Sequence, residues 1–575
     1  MNAFIVTARQ AARMPRSLLL AVCLFYAVPG LVGRDPWRLA DAAGFGIAWS
    51  FSISPWGATW LIPGVAGEPS PEHGPLPFWL AAGAMRLLPG LPADLVIRLV
   101  AMTGLLLLMA AVWYGLWELA RRPRIQPADP FGASASPTDF GRSVADSGLL
   151  ILLACVGLIA RAHETTADTA QVVWTGIFLF ACARGLERPH SGGLLCAVMI
   201  AASLLTRGIA PALALLGVLI LLPVVSRGWR LVWRPFLGTA LPVAAVGLLA
   251  WPLALQGTSR ASAEHLSAWW QANLSPVQSF VQTPGPVLAD WLSTLPWFLW
   301  PAWPIALGAL WQWRHRRDQP AIVLPSLTLI ALGVSSLIAP TPNEAGLLTL
   351  GPPAAMLAAF GLSTLRRSLG ALIDWFAVMS FSLFGIALWL YWLAMQTGWP
   401  PRMAASVQRA VPGYVPGTPG LELALALAVT VAWGALVAWR LARRPSAIWR
   451  PVALSSGGLV LTWVLLMTLW LPAANHRNSY REVAEQAAAR VAQAPGCVQT
   501  AGLDLAQRTA FAYHGGLKLA SDPQASCPWH LDAVRGGATA SARALPDPAE
   551  WTLRWQGQRS GDRRERFTLL QRVSP

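Results

Sequence analysis

PLPFWLAAGAMRLLPGLP, residues 75–92, is the stretch on whose reading the fold turns. It is apolar, but the run 76–91 is only about 16 residues long, whereas a helix needs roughly 20 to cross about 30 Å of hydrocarbon. Pro75, Pro77, Pro89 and Pro92 frame it, and Arg86 lies within it. If it spanned a membrane, every arginine cluster after it would change sides. A helix lying at the outer interface is the reading that keeps the rest of the chain consistent.

Working outward, 55% of the 575 residues are apolar and only 12% are charged, with 31 tryptophans. A soluble protein carries about a quarter charged residues, so the composition excludes an ordinary cytosolic enzyme and implies a polytopic membrane protein. The net charge of +16 sits in short clusters between apolar runs, which topology explains better than nucleic acid does. Runs long enough to be helices lie near 17–33, 95–119, 147–163, 167–186, 191–206, 209–226, 235–256, 290–312, 320–339, 345–364, 371–395, 420–440 and 451–471, about 13 spans in all. The first follows Arg9, Arg13 and Arg16 with no cleavage site, and reads as a retained anchor with a cytoplasmic N-terminus.

Counting from there, the even connections hold RRPR from Arg121, Arg184 with Arg188, RGWRLVWR from Arg227, RHRR from Arg314, Arg366 with Arg367, and RLARR from Arg440. All are basic. The opposite connections hold Asp35, Asp41, Glu68, Glu72, Glu164, Asp168, Glu264 and Glu344, as the positive-inside rule requires. Outer segments 34–94 and 257–289 and the C-terminal region 473–575 are too long to be turns, so function is sought there. The cytoplasmic loop 120–146 reads as a Pro-, Ala- and Ser-rich linker.

The C-terminal region gives a helix at SYREVAEQAAARVAQA, where Ser479 and Glu482 suit a capping box. A strand follows at CVQTAG, then a helix-to-strand passage near RTAFAYHGG, and a hairpin pairing WTLRW with RFTLLQRV. That makes a small α/β domain. Cys497 and Cys527 lie in it and are candidates for a disulfide if it is outside the cytoplasm. The other four cysteines sit in apolar runs.

Ionisable residues gather at the outer boundary. They are Arg34, Asp35, Arg38 and Asp41 in GRDPWRLAD; Glu68, Glu72 and His73 in GEPSPEHGPLPFWL; Arg161, His163, Glu164 and Asp168 in RAHETTAD; Arg207 in LLTRGIAP; and His265 in RASAEHLSAWW. An arginine such as Arg207 on the non-cytoplasmic side calls for an anionic partner, either a phosphate or a protein carboxylate such as Asp168. Glu72 and His265 are a candidate pair for a divalent metal ion, from distant loops. No Walker loop, dinucleotide fingerprint or paired CxxC is present.

Residues 67–80 resemble the first outer loop of family 39 type glycosyltransferases of the GT-C superfamily, which include protein O-mannosyltransferases and lipid A aminoarabinose transferases. Gly67, Glu68, Pro69, Glu72, Pro75, Leu76, Phe78, Trp79 and Leu80 stand in the register of that pattern without a gap. Arg34-Asp35 resembles the family's Arg-Asp-Glu type motif after the first helix, Asp168 its outer aspartate, Arg207-Gly208 its Lys-Gly step, and Glu264-His265 its acid-His pair. The chain departs from the pattern where His73 replaces a lysine, Gly74 the first proline and Pro36 the second acid, and where TPNEAGLL lacks a basic residue.

The resemblance implies a GT-C type membrane domain, 1–472, followed by a periplasmic domain, 473–575, in a bacterial inner (cytoplasmic) membrane. It implies transfer of a sugar from a polyprenyl (undecaprenyl) phosphate donor to a lipid, glycan or protein acceptor at the periplasmic face. Asp35 is then the general base, Arg161 and Arg207 hold the donor phosphate, and Arg34, Glu68, His73 and Asp168 support them, Asp168 by orienting Arg161 or His163. Glu72 and His265 remain the metal pair. The competing reading is a polytopic transporter or lipid flippase. Against it stand the lack of an internal repeat and the placement of the ionisable residues at the boundary rather than the midplane.

Overall fold

The computed structural model describes residues 6–7, 9–127, 135–338, 343–365, 367–418, 420–442, 447–520, 525–535, 550–562 and 564–573. The chain is a polytopic α-helical membrane protein. Among the described residues eight helices are long and apolar enough to cross a membrane, the longest of them Ser368–Thr397 and Ala93–Ala120. Arg16–Ala27 and Ile209–Val225 are apolar but shorter.

The expected runs are helical over most of their length, though 17–33 is helical only to Ala27 and 147–163 breaks at Cys155. The run 290–312 is two helices, Pro284–Phe298 and Ala302–Gln312, parted at Pro301, which has no N–H to continue the first. The supposed linker 120–146 ends in the first turns of the helix Pro137–Ala154; its residues 128–134 lie outside the described residues. Ser136 caps that helix by accepting from the Asp139 N–H. Its buried Asp146 interrupts the apolar pattern and accepts from Trp113 Nε1 at 2.8 Å and the Met14 N–H at 3.0 Å. Those partners make the burial of a carboxylate tolerable. Arg366, Arg443 and Arg444 of the arginine clusters, and Thr341 and Pro342 of TPNEAGLL, also lie outside the described residues.

The decisive stretch forms the helix Leu76–Leu87, of 12 residues. At about 1.5 Å per residue that is roughly 18 Å, too short to cross. Phe78, Ala81, Ala82 and Met85 pack on Phe45, Ile47, Ala48 and Phe51 and on Val96 and Ile97, while Leu80 and Leu87 face outward. Arg86 donates to the carbonyls of Phe51, Ser52 and Ser54. These are the unpaired carbonyls at the end of the helix Ala40–Ile53, where a cation is favoured. The arginine inside the apolar run is therefore the clasp between two short helices.

The helix Ala40–Ile53, which carries Gly44 and Gly46, lies in the outer segment 34–94, where only the helix at 76–91 was expected. The glycines are needed for close packing: a Cβ at Gly46 would sit 1.8 Å from Thr509 Oγ1 of the C-terminal domain. The segment 257–289 is likewise mostly one helix, Arg260–Gln282, capped by Ser259.

The C-terminal domain has a five-stranded sheet in the order Leu519–Ala520, Val498–Ala501, Trp529–Arg535, Glu565–Arg572, Trp551–Gly557. The first three strands run parallel, and the expected hairpin pairs antiparallel with Trp551 opposite Arg572. Helices Arg481–Val491 and Leu505–Tyr513 cover it around Phe511, Phe567 and Trp529. The expected capping box at Ser479 and Glu482 does not form: Ser479 accepts from the Arg481 N–H instead. A capping box does close the second helix, between Asp504 and Gln507. Cys497 and Cys527 form a disulfide, with Cα atoms 5.1 Å apart.

Candidate active site

The loops 34–94, the loop 162–166 and the C-terminal domain meet at one end of the bundle. There Asp35 is held by the C-terminal domain: Arg481 Nη2 donates to Oδ1 at 2.5 Å and Nε to Oδ2 at 3.1 Å. The Asp35 N–H donates to Asn475 Oδ1, which also accepts from Trp37 Nε1. Burial works against ionisation of Asp35, but the Arg481 guanidinium, with Ser479 and His514, outweighs it and leaves the carboxylate below its ordinary range. A fork-on-fork pair of this kind fixes direction as well as charge.

Beside it, Arg34 and Asp41 form an ion pair at 3.3 Å, both almost fully buried. Asp41 is desolvated, yet Arg34, Arg98 and the N–H groups of Thr165 and Trp37 keep it ionised below the usual carboxylate range. Arg34 also donates to the His163 carbonyl, and Thr165 donates to Asp41 through both its N–H and its hydroxyl. Arg34 thus ties the loop before Asp41 to the loop 162–166 and supports the site rather than reaching into it.

The second corner is built on Arg207, the last residue of the helix Pro189–Arg207. Gly208 follows at φ +82°, with Asn273 packed where a Cβ would be, so glycine is required at that turn. Arg207 Nε lies 3.1 Å from Asp168 Oδ1, with 5% of the arginine side chain exposed, and its Nη2 is buried without a hydrogen-bond partner. Of the two partners the sequence left open, the carboxylate is the one against Arg207. Asp168 therefore lies against Arg207, not Arg161 or His163 as expected. His73 bonds Ser70 through Nδ1 at 2.8 Å. Burial, and secondarily Arg207, lower it to about 3, so it is neutral and cannot supply the positive charge of the lysine it replaces.

Arg161 is claimed by protein carboxylates, at 3.0 Å from Glu164 and 2.7 Å from Glu344. Burial raises Glu164 to about 7 against the pull of Arg161. His163 bonds the carbonyls of Ile159 and Tyr26. Glu164, Thr165, Thr166 and Thr169 form the polar end of a cavity of about 440 Å³. Its other walls are apolar, from Phe78, Ala81, Ile97, Val100, Val173 and their neighbours on three helices. Glu68 pairs with Arg508 of the C-terminal domain at 3.3 Å.

The metal pair does not make a cage. Glu72 is exposed, and among the described residues no three of His, Cys, Asp and Glu come together to hold an ion. His265 is buried with both ring nitrogens unpartnered, beside Trp251, and desolvation lowers it to about 4.

Several residues at the site were missed. Arg98, on the helix Ala93–Ala120, lies within electrostatic reach of Asp41, Arg34, Asp94 and Asp35; a charge inside an apolar run was the available signal. Asn475, Arg481, Arg508 and His514 had none, since they sit in an ordinary polar region.

No protein-family model matches the sequence, and a search of curated proteins finds no match. The structure is similar to the crystal structure of ArnT from Cupriavidus metallidurans bound to undecaprenyl phosphate, with a TM-score of 0.66 at 16% identity over 96% of this chain and 97% of that one. The apo state of the same ArnT gives 0.65 at 17% identity with the same coverage. At that identity the likeness establishes a shared fold, end to end, including the C-terminal domain.

Proposed function

We propose that this chain transfers a sugar from a polyprenyl (undecaprenyl) phosphate-linked donor to a lipid, glycan or protein acceptor at the periplasmic face of a bacterial inner membrane. The observation that carries the reading is the unpartnered, buried Nη2 of Arg207, whose ion-pair partner Asp168 stands on the helix Ala167–Gly185, which supplies Thr169, Ala170 and Val173 to the wall of a largely apolar cavity. A phosphate at the head of an isoprenoid chain has the chemistry to meet both. The shared fold with an ArnT bound to undecaprenyl phosphate supports it.

In this mechanism the acceptor oxygen attacks the anomeric carbon opposite the phosphate. The bond to the phosphate oxygen breaks and its electron pair leaves with the phosphate. Arg207 stabilises that developing charge, and Asp35, ionised by Arg481, takes the acceptor proton. Arg161 is the second candidate for the phosphate, and would reach it by leaving Glu344, the more exposed of its two partners. No step is assigned to a metal.

The disulfide Cys497–Cys527 suits an oxidising compartment, which with the arginine pattern supports a cytoplasmic N-terminus and a periplasmic domain over 473–575. The test is incubation of the native chain in proteoliposomes with radiolabelled undecaprenyl phosphate sugars and a cell-envelope acceptor extract. Label should pass to an acceptor fraction. No transfer, with donors and acceptors shown to be present, overturns the proposal.

A further inference from the structure

The residue treated as the base does not stand on the membrane domain alone. Residues 33–38 are bracketed by the junction of two C-terminal helices, Leu471–Asn478 and Arg481–Val491. Asn475 donates to the Gly33 carbonyl and accepts from the Asp35 N–H; the Arg38 N–H donates to the Asn478 carbonyl; Arg481 holds the Asp35 carboxylate through two nitrogens. Tyr513 donates to Asp94 and Arg508 meets Glu68 from the same side. These contacts join residues more than 400 positions apart; three of them fix the backbone around Asp35, and Arg481 bonds its carboxylate.

From this geometry we infer that the C-terminal domain completes the catalytic site, with Arg481 as the positioning residue that aims Asp35 and keeps it ionised. The inference rests on the proposed role of Asp35. The Asp35 side chain is 14% exposed and Arg481 45%, and the arginine bonds both carboxylate oxygens, which fixes the plane in which the carboxylate is held. The other charged and titratable groups around Asp35 are His514, which burial and then Arg481 lower to about 4, Arg98 and Asp94 on the helix Ala93–Ala120, and the neighbouring Arg34–Asp41 pair. Of these only Arg481 bonds the carboxylate directly. A carboxylate of low basicity suffices as base here, because the acceptor hydroxyl becomes acidic as its oxygen bonds to the anomeric carbon.

The sign of the pH effect follows. Transfer requires ionised Asp35, so the rate falls as pH drops through its pKa. Without Arg481 burial loses its largest opponent, the pKa rises, and the acid limb of the pH–rate profile moves to higher pH.

The experiment measures transfer against pH in the proteoliposome assay for the native chain, Arg481→Ala, Arg481→Lys, Arg490→Ala and Asp35→Asn. Undecaprenyl phosphate binding is followed separately by thermal shift. Arg481→Ala is expected to lower the plateau by about tenfold or more, a cost of orientation, and to move the acid limb upward while undecaprenyl phosphate still binds. Arg481→Lys keeps the charge but not the fork, so its limb stays near native while its plateau falls. Arg490→Ala, on the exposed face of the same helix, changes neither.

An Arg481→Ala plateau that falls with the limb unmoved, or a loss of undecaprenyl phosphate binding along with activity, would reduce Arg481 to a structural role and overturn the inference. A native profile in Arg481→Ala, with Asp35→Asn inactive, overturns it while leaving the proposed function standing. Full activity in Asp35→Asn removes the premise for both.

Discussion

Two arginine–carboxylate pairs frame the site, and they are built in opposite ways. Arg207 and Asp168 stand on helices that follow one another in the chain, both nearly buried, with one arginine nitrogen left unpartnered. Arg481 and Asp35 come from opposite ends of the chain, and the arginine is half exposed and bonds both carboxylate oxygens through two nitrogens. In the proposed function the first pair is the anion receptor. The second is an orienting clamp across two parts of the molecule. Donor binding and acceptor activation are thus assigned to different corners, and each can be broken without the other.

The largest effect is expected at the buried corner. Arg207→Ala removes the phosphate's partner and strands Asp168, so transfer should fall by about a hundredfold or more. The folded state should lose about 3–5 kcal/mol, the cost of breaking a buried pair; a proteoliposome assay and thermal unfolding in detergent read the two. Asp168→Asn sharpens the contrast, because it leaves Arg207 charged without its protein anion. Unfolding should shift down while undecaprenyl phosphate binds at least as tightly as to the native chain.

Opening the disulfide with Cys497→Ser and Cys527→Ser should cost about 3 kcal/mol. It should loosen the Arg481 clamp while leaving undecaprenyl phosphate binding in place. Equal damage to binding would erase the distinction between the corners.

A further effect is a pH dependence of stability shared by both corners. His73, His265 and His514 are held at about 3, about 4 and about 4 respectively by desolvation first, so they are neutral in the folded state. In the unfolded chain they take up protons near pH 6.5. The unfolded state therefore binds more protons between about pH 4 and 6.5, and stability should rise with pH across that window. A flat unfolding temperature there would mean the three imidazoles are solvated.

The contrast between the corners is also a contrast in what a sequence reveals. The bundle was legible because apolar length and arginine placement are one-dimensional signals, and Arg207 was legible because a charge at that boundary is costly. Pro137–Ala154 was under-read because Asp146 is satisfied by Trp113 and the Met14 N–H, partners that no local pattern shows. The helix Ala40–Ile53 was missed because its glycines serve contacts with residues far away in the chain. Arg481 could not be found at all: its partner lies 446 residues upstream, and its own helix is an ordinary polar one. The partner of Arg161 was hidden for the same reason, since Glu344, which engages it, stands 183 residues downstream on the short helix Asn343–Gly346.

The most direct test of the account is label transfer from undecaprenyl phosphate sugars by Asp35→Asn beside the native chain, both confirmed as inserted and able to bind undecaprenyl phosphate. The account predicts transfer by the native chain and none above background by the variant, with equal binding. Transfer by Asp35→Asn at the native rate would contradict it.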